Sequence, residues 1–128
     1  MKSKWASFER KEYVIEDLGR PAIFLIPIKK LGITMGDFTV RKNLHEFLVR
    51  NFSAYTTSTI PGFGFWRNHQ KLVITDQCCE YEVSFRGKNK IPDLLKKLAE
   101  IARVTGEACI YVKAGQYSAL VYPKKPSR

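Results

Sequence analysis

The sequence predicts an α+β fold. Two segments, residues 40–52 and 92–105, repeat apolar side chains at helical spacing, and short apolar or alternating runs typical of strands lie before, between and after them. The predicted order is β-α-β-β-β-α-β-β. Because each helix has a single apolar stripe, both stripes are buried most simply against one face of an antiparallel sheet. This arrangement is a ferredoxin-like sandwich with extra strands, and it leaves the second face of the sheet open.

The first half of the chain contains a predicted central strand and the first helix. Residues 22–28 are almost wholly apolar, as expected for a strand covered on both faces, and Pro27 marks its end. The first helix is predicted to begin beside Asp37 or Thr39, either of which can cap it. Residues 1–20 fit a short amphipathic helix or an edge strand equally well.

The second half contains the remaining strands and the second helix. A turn is predicted at residues 76–77, between two short strands, and Gly115 allows a tight antiparallel hairpin near the end of the chain. Pro92 suits the first residue of the second helix, and Gly106 suits its left-handed C-cap. The predicted strands of this half are 54–66, 71–75, 80–85, 108–112 and 117–122.

Length and charge predict one soluble domain with an anionic partner. The 128 residues are enough for one independent core, and 22 Lys and Arg against 12 Asp and Glu give a net charge of +10. We expect an N-terminal extension at 1–20, a single α+β domain at 21–122 and a basic mobile tail at 123–128. A basic surface that serves only solubility is the alternative.

The three cysteines, Cys78, Cys79 and Cys109, have neither the even number of a disulfide framework nor the spacing of a zinc site. No segment resembles a signal peptide or a membrane span of ~20 apolar residues. We therefore expect a cytoplasmic protein without a metal or other cofactor. No residue pattern identifies a catalytic centre.

Residues 61–71 combine two glycines, three aromatic residues and two cations within a run typical of a strand. In an extended chain Phe63 and Phe65 share one face, and Trp66 lies on the other. Stacking surface, close backbone approach and positive charge are what a nucleic-acid base and its phosphate require. The alternative is a glycine-eased bend with both phenylalanines in the core.

The predicted ligand-binding residues lie in this segment, in the hairpin that follows and in the turn after it, and we expect them to converge at one end of the sheet. They are Phe63, Phe65, Trp66, Arg67, His69, Lys71, Arg86, Lys88 and Lys90. His69 is also a candidate general base with Asp76 or Glu80 as its partner, although a lone loop histidine is more often solvent-exposed. His45 is predicted to be structural or solvated.

Residues 62–65, Gly-Phe-Gly-Phe, resemble the core of the longer RNA-recognition-motif signature, whose aromatic residues stack bases. Residues 23–26, Ile-Phe-Leu-Ile, resemble the shorter signature on the first strand of that family. The resemblance implies RNA binding through a sheet surface.

In topology, residues 22–122 resemble the small ferredoxin-like proteins of the PII signal-transducing type and bacterial families of unknown function. The resemblance implies a protruding hairpin over residues 64–77. It also implies phosphate contacts near a subunit seam from residues 87–90 and Lys113. No motif of those proteins is matched residue for residue.

The sequence therefore favours a non-enzymatic protein that binds an anionic ligand, above all nucleic acid, and that forms a homodimer through its open sheet face. The alternative is a small-molecule sensor or enzyme that holds a nucleotide or metabolite in a pocket between subunits. A third interpretation is a structural or inhibitory protein that covers the anionic surface of a partner.

Overall fold

The computed structural model describes residues 5–52, 54–58, 62–67, 73–115 and 117–124, with the backbone alone at 62–67 and 73–76. The two helices are α1 (Val40–Asn51) and α2 (Lys90–Thr105). The strands are β1 (Arg20–Pro27), β2 (Thr34–Met35), β3 (Phe38–Thr39), β4 (Ala54–Thr57), β5 (Gly62–Arg67), β6 (Val73–Phe85), β7 (Ile110–Ala114) and β8 (Tyr117–Val121). Neither helix is long and apolar enough, within these ranges, to cross a membrane.

The main sheet has the strand order β4-β6-β1-β7-β8, and every neighbouring pair is antiparallel. Without the last edge strand, the order β4-β6-β1-β7 is that of a ferredoxin-like sandwich in which two split β-α-β units interleave. Buried residues of both helices join one face of the sheet in a single core. The predicted fold class is confirmed.

Strand β1 lies at the centre of the sheet because its residues are apolar on both faces. Its inward side chains Ala22, Phe24 and Ile26 are fully buried. They lie between the inward residues of β6 and β7, and Phe24 pairs with Tyr81 on one side and Val112 on the other. The strand ends at Pro27, as predicted.

The N-cap of α1 and the C-cap of α2 follow from the sequence, whereas α2 begins at Lys90, two residues before its predicted start at Pro92. At the start of α1 the side chain of Thr39 accepts a hydrogen bond from the backbone N–H of Lys42 at 3.2 Å, so Thr39 rather than Asp37 is the N-cap. Helix α2 ends at Gly106, whose φ of 76° is the left-handed C-cap that the sequence predicts. The stripe of α2 that includes Leu94 and Leu98 is fully buried.

The prediction of two short strands around a turn at residues 76–77 is wrong, because β6 is one continuous strand of 13 residues. Its second half, residues 78–85, pairs with β1 on one side, and residues 81–84 pair with β4 on the other. Its first half pairs with β5. Residues 62–67 and 73–77 therefore form a two-stranded arm, called the β5-β6 arm below, that extends past the end of β1.

Residues 5–19, the described part of the segment before β1, form neither the helix nor the edge strand considered for residues 1–20. Residues 6–8 make one 3-10 turn, and the segment is then fixed to the end of β6. The guanidinium of Arg86 donates to the carbonyl oxygen of Asp17, and the N–H of Gly19 donates to the Asp17 carboxylate at 2.9 Å. Gly19 has a φ of 94° that other residues rarely adopt, which turns the chain into β1.

Candidate ligand site

Seven of the nine residues predicted to bind a ligand are described, and they lie at two ends of the structure. The backbone of Phe63, Phe65, Trp66 and Arg67 belongs to β5, in the β5-β6 arm. His69 and Lys71 lie outside the described residues. Arg86, Lys88 and Lys90 follow the other end of β6, and the last of these is the first residue of α2.

These two groups do not converge. Arg67 pairs with Val73 at the beginning of β6, whereas Arg86 follows Phe85 at its end. The 13 residues of the strand, at about 3.3 Å per residue, separate the two ends by roughly 40 Å. A single small ligand cannot contact both groups in one chain.

The structure instead assembles a hollow on the helix-covered face of the sheet, at the edge formed by β4. Its volume is about 330 Å³, and it lies between the first turns of α1, strand β4 and the part of β6 that pairs with β4. We call it the α1-β4 hollow. Its described lining residues are Thr39, Arg41, Lys42, His45, Tyr55, Thr57 and Tyr81.

Aromatic rings line the hollow on its sheet side. Tyr81 is 3% exposed and stacks on Phe24, with ring centroids 5.2 Å apart and planes 2° from parallel. Half-buried Tyr55 lies beside it, with a centroid distance of 6.3 Å and an interplanar angle of 25°. Because Phe24 is held in the core, this layered set is a rigid apolar surface against which a planar or cationic group can rest.

A histidine and a tyrosine are hydrogen-bonded at the mouth of the hollow. The Nδ1 atom of His45 on α1 pairs with the hydroxyl of Tyr55 on β4, and the two rings meet edge to face at 5.7 Å. An imidazole that contacts a phenol can exchange a proton with it, so the pair can act as a general base or acid toward a bound ligand.

Positive charge surrounds this pair on the helix side. Arg41 and His45 are four residues apart on α1 and therefore lie on the same face of the helix, and Lys42 adds a second cation. The Lys42 ammonium lies 4.6 Å from the ring centroid of Phe38. None of the described lining residues is acidic, and the N-terminus of α1, the positive end of the helix dipole, lies at the hollow. The hollow therefore favours a ligand with a carboxylate or phosphate.

Burial raises the pKa of Tyr81 above its ordinary value of 10.0, and the positive charge of Arg41 partly opposes this effect. A side-chain hydrogen bond with Thr57 also lowers the pKa of Tyr81. Thr57 in turn donates to the carbonyl oxygen of Glu80 at 3.1 Å. Tyr81 is consequently protonated at neutral pH, and its hydroxyl can donate a hydrogen bond but does not act as a base.

These residues were not among those predicted to bind a ligand, and His45 was predicted to be structural or solvated. The spacing of Arg41 and His45 on one helical face was a signal that could have been used. The tyrosines gave no such signal, because Tyr55 and Tyr81 meet only through the β4-β6 register. Within the described ranges, no group of three His, Cys, Asp or Glu residues could hold a metal ion.

Comparison with known proteins gives matches in structure alone. No protein-family model and no curated protein matches the chain. A phage SAM lyase in complex with S-methyl-5'-thioadenosine is similar in structure, with a TM-score of 0.57 at 8% identity, over 86% of this chain and 96% of the lyase. A phage SAM lyase in the apo state gives a TM-score of 0.53 at 10% identity, over 90% of this chain and 100% of the lyase.

The prediction of a non-enzymatic protein that binds nucleic acid, and RNA in particular, is wrong. The chain shares its fold with enzymes that act on SAM (S-adenosylmethionine), a small molecule, and the match covers almost the whole of both chains. The separation of the two basic groups along β6 removes the single phosphate-binding surface on which the prediction depended. The alternative interpretation, a small-molecule sensor or enzyme, agrees better with these findings.

Proposed function

We propose that this protein is an enzyme that acts on a small adenosyl compound of sulfur, of the SAM type, and that the α1-β4 hollow holds part of that ligand. The observation that carries the proposal is the extent of the fold match, which spans 96% of the SAM lyase and 86% of this chain. Because the matched fold includes most of the described residues, we place the ligand site on the fold itself.

The chemistry of the hollow fits the methionine part of such a ligand. SAM carries a carboxylate, an ammonium group and a sulfonium cation close together. Arg41 and Lys42 can pair with the carboxylate, and the half-buried ring of Tyr55 can face the sulfonium through cation–π attraction. The hydroxyl of the protonated Tyr81 can donate a hydrogen bond to a ligand oxygen. The hydroxyl of Thr57, which donates its proton to the carbonyl oxygen of Glu80, can accept a hydrogen bond from the ligand ammonium group.

In the reaction we propose, S-methyl-5'-thioadenosine leaves when the bond between sulfur and the aminocarboxypropyl group breaks. The electron pair of that bond goes to sulfur, which becomes a neutral thioether. A base removes a proton from the carbon next to the one that held sulfur, and the electrons of this C–H bond form the C=C double bond of an unsaturated amino acid product. The imidazole of His45, with Tyr55 as its hydrogen-bond partner, is placed to receive that proton.

The positive charge of the site also favours cleavage of the bond to sulfur. Arg41 and Lys42 repel a sulfonium but not a neutral thioether, so loss of the sulfonium charge is stabilised in their neighbourhood. Their attraction for the carboxylate still holds the substrate in place. The same residues would therefore bind the substrate through one end and promote the change of charge at the other.

The proposal is tested by incubating the purified chain with SAM and measuring S-methyl-5'-thioadenosine by liquid chromatography and mass spectrometry. We expect release above the spontaneous rate, a loss of at least about tenfold in His45→Ala and Tyr55→Phe, and a raised KM in Arg41→Ala. The matched control is Arg50→Ala, which removes an exposed arginine from the last turn of the same helix, outside the hollow.

Calorimetry with SAM and with S-methyl-5'-thioadenosine separates binding from turnover. Binding without turnover would assign the chain as a sensor of these compounds rather than an enzyme. No heat of binding at millimolar ligand and no product would refute the proposal. Variants of the hollow that retain full activity would place the site elsewhere on the fold.

A further inference from the structure

The face of the sheet opposite the helices has a graded pattern of charge across its strands. On β6, the outward residues Glu80 and Glu82 are exposed and acidic. On the central strand β1, the outward residues Ile23 and Leu25 are half-buried and apolar. On β7, the outward residue Lys113 is exposed and basic. The face therefore changes from negative through apolar to positive in the direction from β6 to β7.

The registers of the strands place the key residues of this pattern in one straight row. Glu82 pairs with Ile23 across β6 and β1, and Ile23 pairs with Lys113 across β1 and β7. Thr56 on β4 and Ser118 on β8 extend the row at its two ends. Neighbouring strands are about 4.8 Å apart, so Glu82 and Lys113 lie at equal distances of roughly 5 Å on either side of Ile23.

The charges of Glu80, Glu82 and Lys113 form no salt bridge with the residues that the structure describes. The apolar middle of the face is also incompletely covered, since Leu120 of β8 is 37% exposed beside half-buried Tyr111. A surface with separated charges on both sides of an apolar strip is suited to a partner that has the opposite order of charges.

We propose that this face is covered by a second copy of the chain, with Glu82 of each copy opposite Lys113 of the other. The two sheets face each other, and the two-fold axis lies midway between them, parallel to β1. Rotation about this axis places the β6 side of one copy over the β7 side of the other and leaves each residue in the same row. The rotation brings Glu82 over Lys113 twice and Ile23 over Ile23 at the centre. The pattern is self-complementary, which is the property that a two-fold interface requires.

Other occupants fit this face less well. A nucleic acid or an acidic peptide would be repelled by Glu80 and Glu82, and a basic peptide would be repelled by Lys113. The α1-β4 hollow lies on the opposite face of the sheet, so the ligand site stays open in the proposed dimer. The inference therefore goes beyond the proposed function and can fail or succeed without it.

The experiment is a charge exchange in the full chain, with the mass measured by light scattering and sedimentation equilibrium at micromolar concentrations. The wild type should have twice the 14.8 kDa mass of the chain. Glu82→Lys and Lys113→Glu should each lower the mass to 14.8 kDa, and the double variant should restore the dimer. The control is Arg103→Glu, which reverses an exposed charge on α2 and should leave the mass unchanged.

Carbodiimide coupling of the unmodified protein tests the contact without any variant. An equal mixture of 15N-labelled and unlabelled chains should yield a Glu82–Lys113 cross-link with one labelled and one unlabelled peptide, which proves that it joins two copies. A monomeric wild type overturns the proposal, and so does an oligomer whose mass neither single variant changes. Single variants that dissociate while the double variant does not reassociate overturn the pairing of Glu82 with Lys113.

Discussion

Gly19 is the residue whose replacement by alanine tests the attachment of the N-terminal segment most directly. Its φ of 94° is strained for any other residue, and a Cβ atom at this position would lie 2.0 Å from the carbonyl oxygen of Phe85. Ordinary contacts of this kind are well over 3 Å, so either the end of β6 or the turn into β1 must move by more than an ångström. Both movements disturb the contacts of Asp17 with Gly19 and Arg86.

The cost can be separated into two parts with a matched control. Gly106→Ala introduces comparable strain, at a φ of 76°, but its Cβ would meet no atom within 4 Å. We expect Gly106→Ala to cost about 1–2 kcal/mol, the price of left-handed backbone for an L-residue. Gly19→Ala should cost roughly 3–5 kcal/mol, because the steric overlap with Phe85 is added to the strain.

Urea unfolding followed by circular dichroism measures both variants. The larger loss in Gly19→Ala should lower the midpoint by about 1–2 M more than in Gly106→Ala, for a slope of roughly 1–3 kcal/mol/M. Equal losses in the two variants would mean that residues 17–19 are not held against β6 in solution, and the reasoning would be refuted.

Two further predictions concern the core and the hollow. Leu98 is fully buried in α2, so Leu98→Ala should lower the free energy of unfolding in urea by about 2–5 kcal/mol because it leaves a cavity. The control is Val104→Ala on the same helix, where the side chain is 41% exposed, and it should change the stability by less than about 0.5 kcal/mol. Similar losses in both variants would show that the buried face of the helix is not the one described. Because burial raises the pKa of Tyr81 above 10.0, the unfolded chain loses this proton first as the pH rises. The contribution of Tyr81 to stability should therefore be complete below that pH and decline above it. The free energy of unfolding, measured from about pH 8 to about pH 11, should fall less steeply with pH in Tyr81→Phe than in the wild type. Parallel curves for the two proteins would show that the hydroxyl is solvated in the native state.

The elements that could be predicted from the sequence are those whose signals are local. The caps at Thr39 and Gly106 and the apolar run of β1 each depend on neighbouring residues, and all three are present. The length of β6 could not be predicted, because Asp76 and Gln77 are polar residues typical of a turn. They lie in the β5-β6 arm, where the strand has one described neighbour rather than two, and polar residues are tolerated there.

The candidate site was harder to predict because it is assembled from distant segments. His45 comes from α1, Tyr55 from β4 and Tyr81 from β6, and no local motif connects them. Residues 61–71 were predicted to bind the ligand because their composition suits one. Their predicted convergence with Arg86 failed because β6 is uninterrupted and keeps its two ends apart. The net charge of +10 indicates an anionic ligand but does not distinguish a polymer from a small carboxylate or phosphate.

The central position of β1 also determines the order in which the protein can fold as it is synthesised. This apolar strand leaves the ribosome before both of its neighbours, because Ala22 pairs with Val83 and with Ala114, which are made more than sixty and ninety residues later. Until both partners have emerged, an apolar strand with two open edges is exposed to other nascent chains. Helix α1 is the first element available to shield it, so slow translation between α1 and β7 should make the yield of soluble protein depend on chaperones.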